Sequence, residues 1–315
     1  MLKSKFTIQF PLTIITVTLG TFHMVPAESI KPIPATYNTR FATEAEFPFK
    51  GNIITNTISC GSIIMSETFV LSAAHCFIRF DSSGRKKYID LSDAFMLFGS
   101  LLQGEGLMRR IEHYSVSPNY QMSQTSPVLH ADIAVAYLNE PLKFSYKIQP
   151  ATVVSTDPMV FLQAWNNIVD NEKACYVMGW ALMKENGMGS YDFYDSDFLR
   201  VSAVSALTDE KCKNSIGNEE DNIVRYGGVC AKHMVLNEDV MAGDAGAALY
   251  CEGNVFGVLS ALKAHKEYTR IAHFFLLKDY LSHIEDEVSE GSIKKGHFFI
   301  STILPYVITN TLISK

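Results

Sequence analysis

Three short segments of the sequence contain residue types that could do chemistry. His75 follows an apolar run and stands in the sequence Ala-Ala-His-Cys. Asp132 opens the apolar run Asp-Ile-Ala-Val-Ala-Tyr-Leu, where a buried carboxylate would need a partner. A glycine-rich loop, Gly-Asp-Ala-Gly-Ala-Ala-Leu at 243–249, leads into another apolar run. Histidine exchanges protons near neutral pH, but most histidines are structural. Each segment, taken singly, also has an ordinary structural explanation: a turn histidine, a strand-end aspartate and a tight turn.

Short apolar runs with turn residues between them surround these segments from residue 47 to residue 261. Period and composition predict strands at 58–65, 68–71, 132–138, 175–180 and 255–260. Many short strands with frequent turns favour an all-β sandwich or barrel. Apolar residues from Phe274 to Val288 recur at helical spacing, which predicts a C-terminal helix.

The composition is that of a globular protein. Of 315 residues, 47% are hydrophobic and 19% are charged, which excludes wholesale disorder, collagen and coiled coil. The net charge is −6, and no stretch is rich in Lys and Arg. Because phosphate binding needs a concentrated basic face, the composition argues against a nucleic-acid partner.

Residues 1–27 have the three zones of a secretory signal peptide. Lys3 and Lys5 precede an uncharged apolar run at 6–22, and Val25-Pro26-Ala27 offers small residues for cleavage. This pattern predicts a secreted, extracellular protein. Six cysteines in an oxidising compartment then indicate three disulfides, although the sequence alone leaves 15 connectivities open.

Four motifs, in this order along the chain, carry a resemblance to a known family. They are Ala-Ala-His-Cys at 73–76, Asp-Ile-Ala at 132–134, Cys-Tyr-Val-Met-Gly-Trp at 175–180 and Tyr-Thr-Arg-Ile at 268–271. Together they resemble the chymotrypsin-like (trypsin-like) serine proteases. The resemblance implies two six-stranded antiparallel β-barrels with a C-terminal helix, and an active site between the barrels. It divides the chain into a signal peptide at 1–27, an N-terminal segment at 28–44, a peptidase S1 domain at 45–286 and a tail at 287–315.

The same resemblance implies the disulfides Cys60–Cys76, Cys175–Cys251 and Cys212–Cys230. A further family bridge beside the specificity pocket is absent, because Met241 stands at one of its positions and no cysteine follows Cys251.

The family's nucleophile is missing from this chain. In the family a serine attacks the carbonyl, the histidine takes its proton and the aspartate orients the histidine. The resemblance places His75 and Asp132 in two of these roles and Ala245 in the third. A methyl group has no lone pair, and residues 243–249 contain no Ser, Thr or Cys. The resemblance also implies that Gly243 keeps the backbone N–H of an oxyanion donor. We therefore expect a non-catalytic homologue, not an enzyme.

The specificity pocket is altered as well. Asp239 stands where trypsin-like members carry the aspartate that receives Lys or Arg, while Leu262 and Lys266 align with glycines that keep the pocket open. One hypothesis is that Leu262 or Lys266 fills the pocket, with Lys266 paired to Asp239 because a buried aspartate needs a partner. The alternative is that both side chains point into solvent.

The activation switch is incomplete by the same comparison. Family members are cut after Arg or Lys, and a new Ile-Val-Gly-Gly terminus pairs with the aspartate that corresponds to Asp244. No Ile-Val-Gly-Gly is present. Cleavage at Arg40-Phe41 would create a Phe41 terminus, which we do not expect to fit the same socket.

No metal-ligand spacing and no phosphate-binding loop occur in the sequence, so neither a metal nor a cofactor is expected. The tail is short for a membrane span. Three interpretations of it stay open: a free tail or packing layer, a membrane-surface or partner-binding segment, and a lipid-anchor signal.

These observations predict a secreted, inactive serine protease homologue that binds and regulates extracellular proteins, active serine proteases or their substrates among them. Such homologues are frequent in insects, in immune cascades and in seminal fluid. Two alternatives are a membrane-tethered adhesion or receptor-like protein on the same scaffold, and a weak hydrolase that uses water activated by His75.

Overall fold

The computed structural model describes residues 39–56, 58–81, 83–122, 129–186, 190–216, 223–235, 240–265 and 269–280. These residues belong to one compact unit that begins at residue 37. The predicted signal peptide, residues 28–38 of the N-terminal segment, the tail, Asp239 and Lys266 lie outside the described residues. Among the helices that are described, none combines the length and the apolar character needed to cross a bilayer.

Strands make up about half of the described chain. In chain order they are β1 (Arg40–Phe41), β2 (Lys50–Ile54), β3 (Ser59–Ile64), β4 (Phe69–Ser72), β5 (Ile78–Phe80), β6 (Lys86–Tyr88), β7 (Phe95–Phe98), β8 (Leu107–Val116), β9 (Gln121–Met122), β10 (Leu129–His130), β11 (Ala134–Leu138), β12 (Ala174–Glu185), β13 (Tyr191–Ala206), β14 (Gly228–His233), β15 (Val240–Ala242), β16 (Ala248–Cys251), β17 (Asn254–His265) and β18 (Thr269–Leu276). The two α-helices of the described residues are α1 (Pro158–Asp170) and α2 (Asp209–Ile216).

The first barrel closes from six antiparallel strands in the order β11-β4-β3-β2-β7-β8. Its strands are rich in β-branched and aromatic residues, and Ile53, Ile63 and Leu71 are fully buried inside it. The predicted strands at 58–65, 68–71 and 132–138 correspond to β3, β4 and β11.

The second barrel closes in the order β13-β14-β18-β17-β16-β12, because β12 also pairs with β13. Two further strands join its edges: β1 pairs with β13, and β15 pairs with β12. The predicted strands at 175–180 and 255–260 lie within β12 and β17. The expectation of two six-stranded antiparallel barrels is therefore confirmed. The structure also contains the disulfides Cys60–Cys76, Cys175–Cys251 and Cys212–Cys230, the pairs that the resemblance implies.

The predicted C-terminal helix begins too early. Phe274 lies in β18, and a 3₁₀ turn follows at Leu277–Tyr280; residues beyond 280 lie outside the described range. Phe274 and Phe275 are both fully buried, so this strand has apolar residues on both faces. A continuous apolar run of this kind does not distinguish a buried strand from a helix.

Helix α1 was not predicted, although its start is marked in the sequence. The Asp157 carboxylate accepts hydrogen bonds from the backbone N–H groups of Met159 and Val160, and Pro158 occupies the first turn. Both features are typical of helix N-termini. Phe161 and Trp165 then pack the helix onto Phe256 of the second barrel.

Two buried histidines predict a stability that depends on pH. Burial lowers the pKa of His273 to about 4, helped by the nearby Lys263 charge, and burial also lowers the pKa of His233 to about 4. Because the unfolded chain takes up these protons first, stability present above about pH 6.5 is lost as the pH falls toward 4. Urea unfolding should show this loss of stability. The drop in the free energy of unfolding between pH 6.5 and pH 4 should be smaller in His273→Leu than in the wild type, by about 2–3 kcal/mol.

Phe274→Leu, at the neighbouring buried position of β18, supplies the control for this prediction. It removes no titratable group, so it should lower the free energy of unfolding by the same amount at pH 6.5 and at pH 4. A His273→Leu protein that loses stability as steeply as the wild type between pH 6.5 and pH 4 would contradict the assignment.

Candidate active site

The fold brings His75 and Asp132 together through two neighbouring strands. His75 lies in a 3₁₀ turn at Ala74–Cys76 directly after β4, and the Cys60–Cys76 disulfide ties this turn to β3. Asp132 precedes β11, whose first residue, Ala134, pairs with Ser72 at the end of β4. The pairing of β4 with β11 therefore sets the two side chains beside each other.

The Asp132 carboxylate is fully buried and accepts three hydrogen bonds. His75 Nδ1 lies 2.7 Å from Oδ2, the backbone N–H of His75 donates to Oδ1 over 2.9 Å, and the Ser260 hydroxyl donates to Oδ2 over 2.6 Å. Burial by itself lowers the pKa of His75, but the charge of Asp132 and its hydrogen bond together hold that pKa above its ordinary value. Sequence reasoning missed the role of Ser260, which reaches the pair from β17 of the second barrel.

Ala245 lies half-buried in the loop between β15 and β16. Its carbonyl oxygen accepts a hydrogen bond from the Gly61 N–H over 2.7 Å and lies 3.9 Å from Sγ of Cys76, the neighbour of His75. The third triad position thus sits beside the histidine turn, as the resemblance implies, with a methyl group as its only side chain. The pair of His75 and Asp132 is therefore assembled beside a residue whose side chain has no oxygen or sulfur atom.

Gly243 is not the free oxyanion donor that the resemblance implies. Its N–H donates to the carbonyl of Ala181 over 3.0 Å. The reason lies in the strand pairing: β15 pairs with β12 at Leu182 and Ala242, so the loop that follows Ala242 is held against the β12 backbone. A donor engaged in this bond cannot stabilise a developing oxyanion unless the loop moves.

Asp244 is buried and pairs with Lys50, a residue that sequence reasoning missed. Its Oδ1 accepts hydrogen bonds from the N–H groups of Trp180 and Ala181, and its Oδ2 lies 2.7 Å from Lys50 Nζ. The two side chains are only 3% and 5% exposed, and the Lys50 ammonium also lies 5.0 Å from the centre of the Trp180 ring. Burial lowers the pKa of Lys50, although the charge of Asp244 opposes this shift. In the family a new chain terminus supplies the cation for this aspartate; here a side chain from the first barrel does.

Arg40 and Phe41, the candidate cleavage site, form β1 and pair with Val201 and Arg200 of β13. The Arg40 guanidinium is an ion-pair partner of Glu46 and donates to Glu46 Oε2 over 2.9 Å. The bond between Arg40 and Phe41 therefore lies in a hydrogen-bonded edge strand. Proteases prefer exposed loops, so this strand must open before it can be cut.

The segments that would line a specificity pocket form continuous β-structure. β17 and β18 pair as far as His265 and Thr269, and β15 pairs with β12. Leu262 is half-buried and reaches the loop: a Cβ placed on Gly243 would lie 3.7 Å from Leu262 Cδ2. Leu262 packs against the core near this loop, and the hypothesis that it fills the pocket stays a prediction. The pairing of Lys266 with Asp239 falls on residues outside the described range.

Sulfur and nitrogen atoms of Cys60, His75 and Cys76 lie within 4.8 Å of one another. Both cysteines are joined in one disulfide, however, and a metal ligand must be a free thiolate. These atoms therefore do not form a metal site.

Two closed barrels with a histidine–aspartate pair between them define the class of serine proteases with the chymotrypsin fold. A family model described as Trypsin matches residues 37–284, and the chain belongs to this family. The match begins at residue 37, so Arg40 and Phe41 lie inside the matched range. The resemblance of the motifs places them in the N-terminal segment at 28–44.

Individual relatives are distant. The chain is 26% identical over 212 residues to transmembrane protease serine 9 of Rattus norvegicus and to transmembrane protease serine 11C of Mus musculus. Each alignment covers 67% of this chain, but only 18% and 42% of the respective relative. A snake venom serine protease of Bothrops insularis is 25% identical over 215 residues, with 68% of this chain and 72% of the relative covered.

A solved structure of neuropsin, a serine protease expressed in the limbic system of mouse brain, superposes with a TM-score of 0.61 at 17% identity. The superposition covers 79% of this chain and 98% of neuropsin, which shows the shared fold.

The buried pair predicts a large effect of removing its cation. Lys50→Met leaves the Asp244 carboxylate buried without a counter-charge, which should cost about 3–5 kcal/mol in the free energy of unfolding measured with urea. Adding Asp244→Asn should recover part of this loss, because the neutral amide needs no counter-charge.

Lys173→Met is the matched control for this substitution. Lys173 pairs with Glu252 over 2.8 Å at the surface, where an ion pair contributes about 1 kcal/mol or less. Equal losses for the Lys50 and Lys173 variants would show that the buried pair has no special role.

Proposed function

We propose that the protein is a catalytically inactive serine protease homologue that is secreted and acts by binding other extracellular proteins. The observation that carries this proposal is Ala245, which stands beside the assembled His75–Asp132 pair where the chemistry requires an oxygen nucleophile. Loss of the nucleophile alone removes on the order of 10⁶ in rate from such enzymes.

The loop around Ala245 supports the same proposal. The Gly243 N–H is engaged by Ala181, and Leu262 packs toward the loop from β17. Asp244 already has a cation in Lys50, so the chain needs no newly cut terminus to satisfy this carboxylate. Two features on which proteolysis depends are not offered by this loop: an oxygen nucleophile at position 245 and a free Gly243 donor.

Binding is the activity that such a scaffold retains. Loops on a rigid β-scaffold are positioned for recognition whether or not chemistry follows. The partners we propose are extracellular proteins, including active serine proteases or their substrates, in a regulatory setting such as an immune cascade or reproduction. The three-zone pattern of residues 1–27 supports secretion.

A second candidate is a weak hydrolase, because the His75–Asp132–Ser260 hydrogen bonds are intact and could orient a water molecule. This activity would depend on His75 and would leave no covalent intermediate.

The test compares the secreted wild type with Ala245→Ser and His75→Ala on peptide esters and with a serine-directed fluorophosphonate probe. We expect no labelling of the wild type and no turnover above that of His75→Ala. Ala245→Ser should stay about 10²–10³-fold or more below an active family member, because one oxyanion donor is occupied.

Each other outcome has a definite meaning. Wild-type turnover that disappears in His75→Ala, without labelling, would establish the hydrolase in place of the inactive protein. Full activity of Ala245→Ser would contradict the occupied donor and leave the missing nucleophile as the sole defect.

A further inference from the structure

We propose that the outer part of β13 is a docking surface for an arginine-containing, basic segment of a protein partner. The proposal rests on the binding role proposed above and names its surface. We define the acidic–aromatic surface as residues 192–198 of β13 together with Phe41 of β1, which packs against Phe198.

Large aromatic side chains are exposed on this surface. Phe193 is 63% exposed, Tyr194 41%, Phe198 50% and Phe41 53%. Phe193 and Tyr194 are held by the pairing of β13 with β12, opposite Met183 and Leu182. Phe41 pairs with Arg200, and Phe198 forms a bridge with Leu102. Exposed aromatic rings on a hydrogen-bonded backbone are typical of an interaction site and cost little side-chain entropy on binding.

Acidic residues alternate with these rings. Asp192, Asp195 and Asp197 are all exposed. Lys184 of β12 stands opposite Asp192, but neither Asp195 nor Asp197 forms an ion pair with any residue of the described chain. A purely apolar partner would have to desolvate these carboxylates without compensation. A cationic partner compensates them, so charge complementarity selects a basic segment over an apolar one.

One guanidinium group of this chain already stacks on a ring of the surface. Arg200 of β13 lies opposite Phe41, and its guanidinium carbon is 3.7 Å from the centre of the Phe41 ring. The ring of Phe198 meets Phe41 edge-on at 5.9 Å. Because side chains alternate across a strand, Phe193 shares one face with Asp195 and Tyr194 shares the other face with Asp192. An arginine that stacks on either ring therefore has a carboxylate two residues away. A planar guanidinium both stacks on a ring and binds a carboxylate in a bidentate manner, so arginine is favoured over lysine.

The test uses the full secreted chain and three fluorescent peptides of five repeats: arginine–serine, lysine–serine and glutamate–serine. Fluorescence anisotropy at about 0.05 M and about 0.3 M salt measures their affinities. We expect the arginine peptide to bind more tightly than the lysine peptide, the glutamate peptide not to bind, and affinity to fall with salt.

Two double variants locate the binding. Asp195→Asn with Asp197→Asn should weaken binding of the arginine peptide about tenfold, because each exposed charge pair contributes about threefold. Phe193→Ser with Tyr194→Ser should remove the preference for arginine over lysine. Asp170→Asn and Tyr88→Ser change an exposed aspartate and an exposed tyrosine elsewhere and should alter neither affinity.

Failure to bind the arginine peptide, equal binding of all three peptides, or unchanged affinity in the Asp195/Asp197 double variant would each overturn the docking surface. Sedimentation of the unlabelled protein excludes self-association through the same face; a dimer that the Phe193/Tyr194 double variant dissolves would also overturn it. These outcomes are independent of the hydrolysis assays, so a protein that binds no peptide can still be inactive, and one that binds can still prove to be a hydrolase.

Discussion

The arrangement of the candidate site depends on one buried ion pair, between Lys50 of the first barrel and Asp244 of the second. Removing two charges from water costs several kcal/mol for each ion, and this cost is tolerable only when each charge is well bound. Asp244 accepts two backbone hydrogen bonds from β12 besides the contact with Lys50. The pair therefore joins three elements, β2, β12 and the loop after β15, and fixes the conformation of that loop.

The His75–Asp132 pair and the loop after β15 are held in place by different contacts. His75 and Asp132 are positioned by β4, β11 and the Cys60–Cys76 disulfide, all within the first barrel, and by one hydroxyl from β17. That network does not involve the loop after β15, so it can persist whatever the loop does. The loop carries Ala245 and the engaged Gly243 donor, and it is held by the buried pair. Ala245 and the engaged Gly243 N–H thus lie on one segment, while the hydrogen-bonded pair of His75 and Asp132 is assembled independently of it.

The sequence alone was sufficient to predict the structure wherever a motif and its local spacing determine it. The strands around His75, Asp132 and Trp180, the cysteine pairs implied by the resemblance, and the alanine at position 245 all belong to this kind. It was insufficient for contacts between distant residues. Lys50 and Asp244 are separated by 194 residues, and a single lysine at the start of an apolar strand gives no indication of its partner. The bond from Gly243 to Ala181 depends on the register between β15 and β12, which no local pattern specifies.

The strands that would line a specificity pocket are engaged in separate pairings: β15 pairs with β12, and β17 pairs with β18. The first of these pairings makes β12 and β13 a long, stiff hairpin, because β12 is hydrogen-bonded on both edges. Stiffness in the unbound state reduces the entropy lost on binding. For the binding role proposed above, the exposed rings and carboxylates of β13 are therefore carried on a rigid platform, which the pairing of β12 with β15 supports.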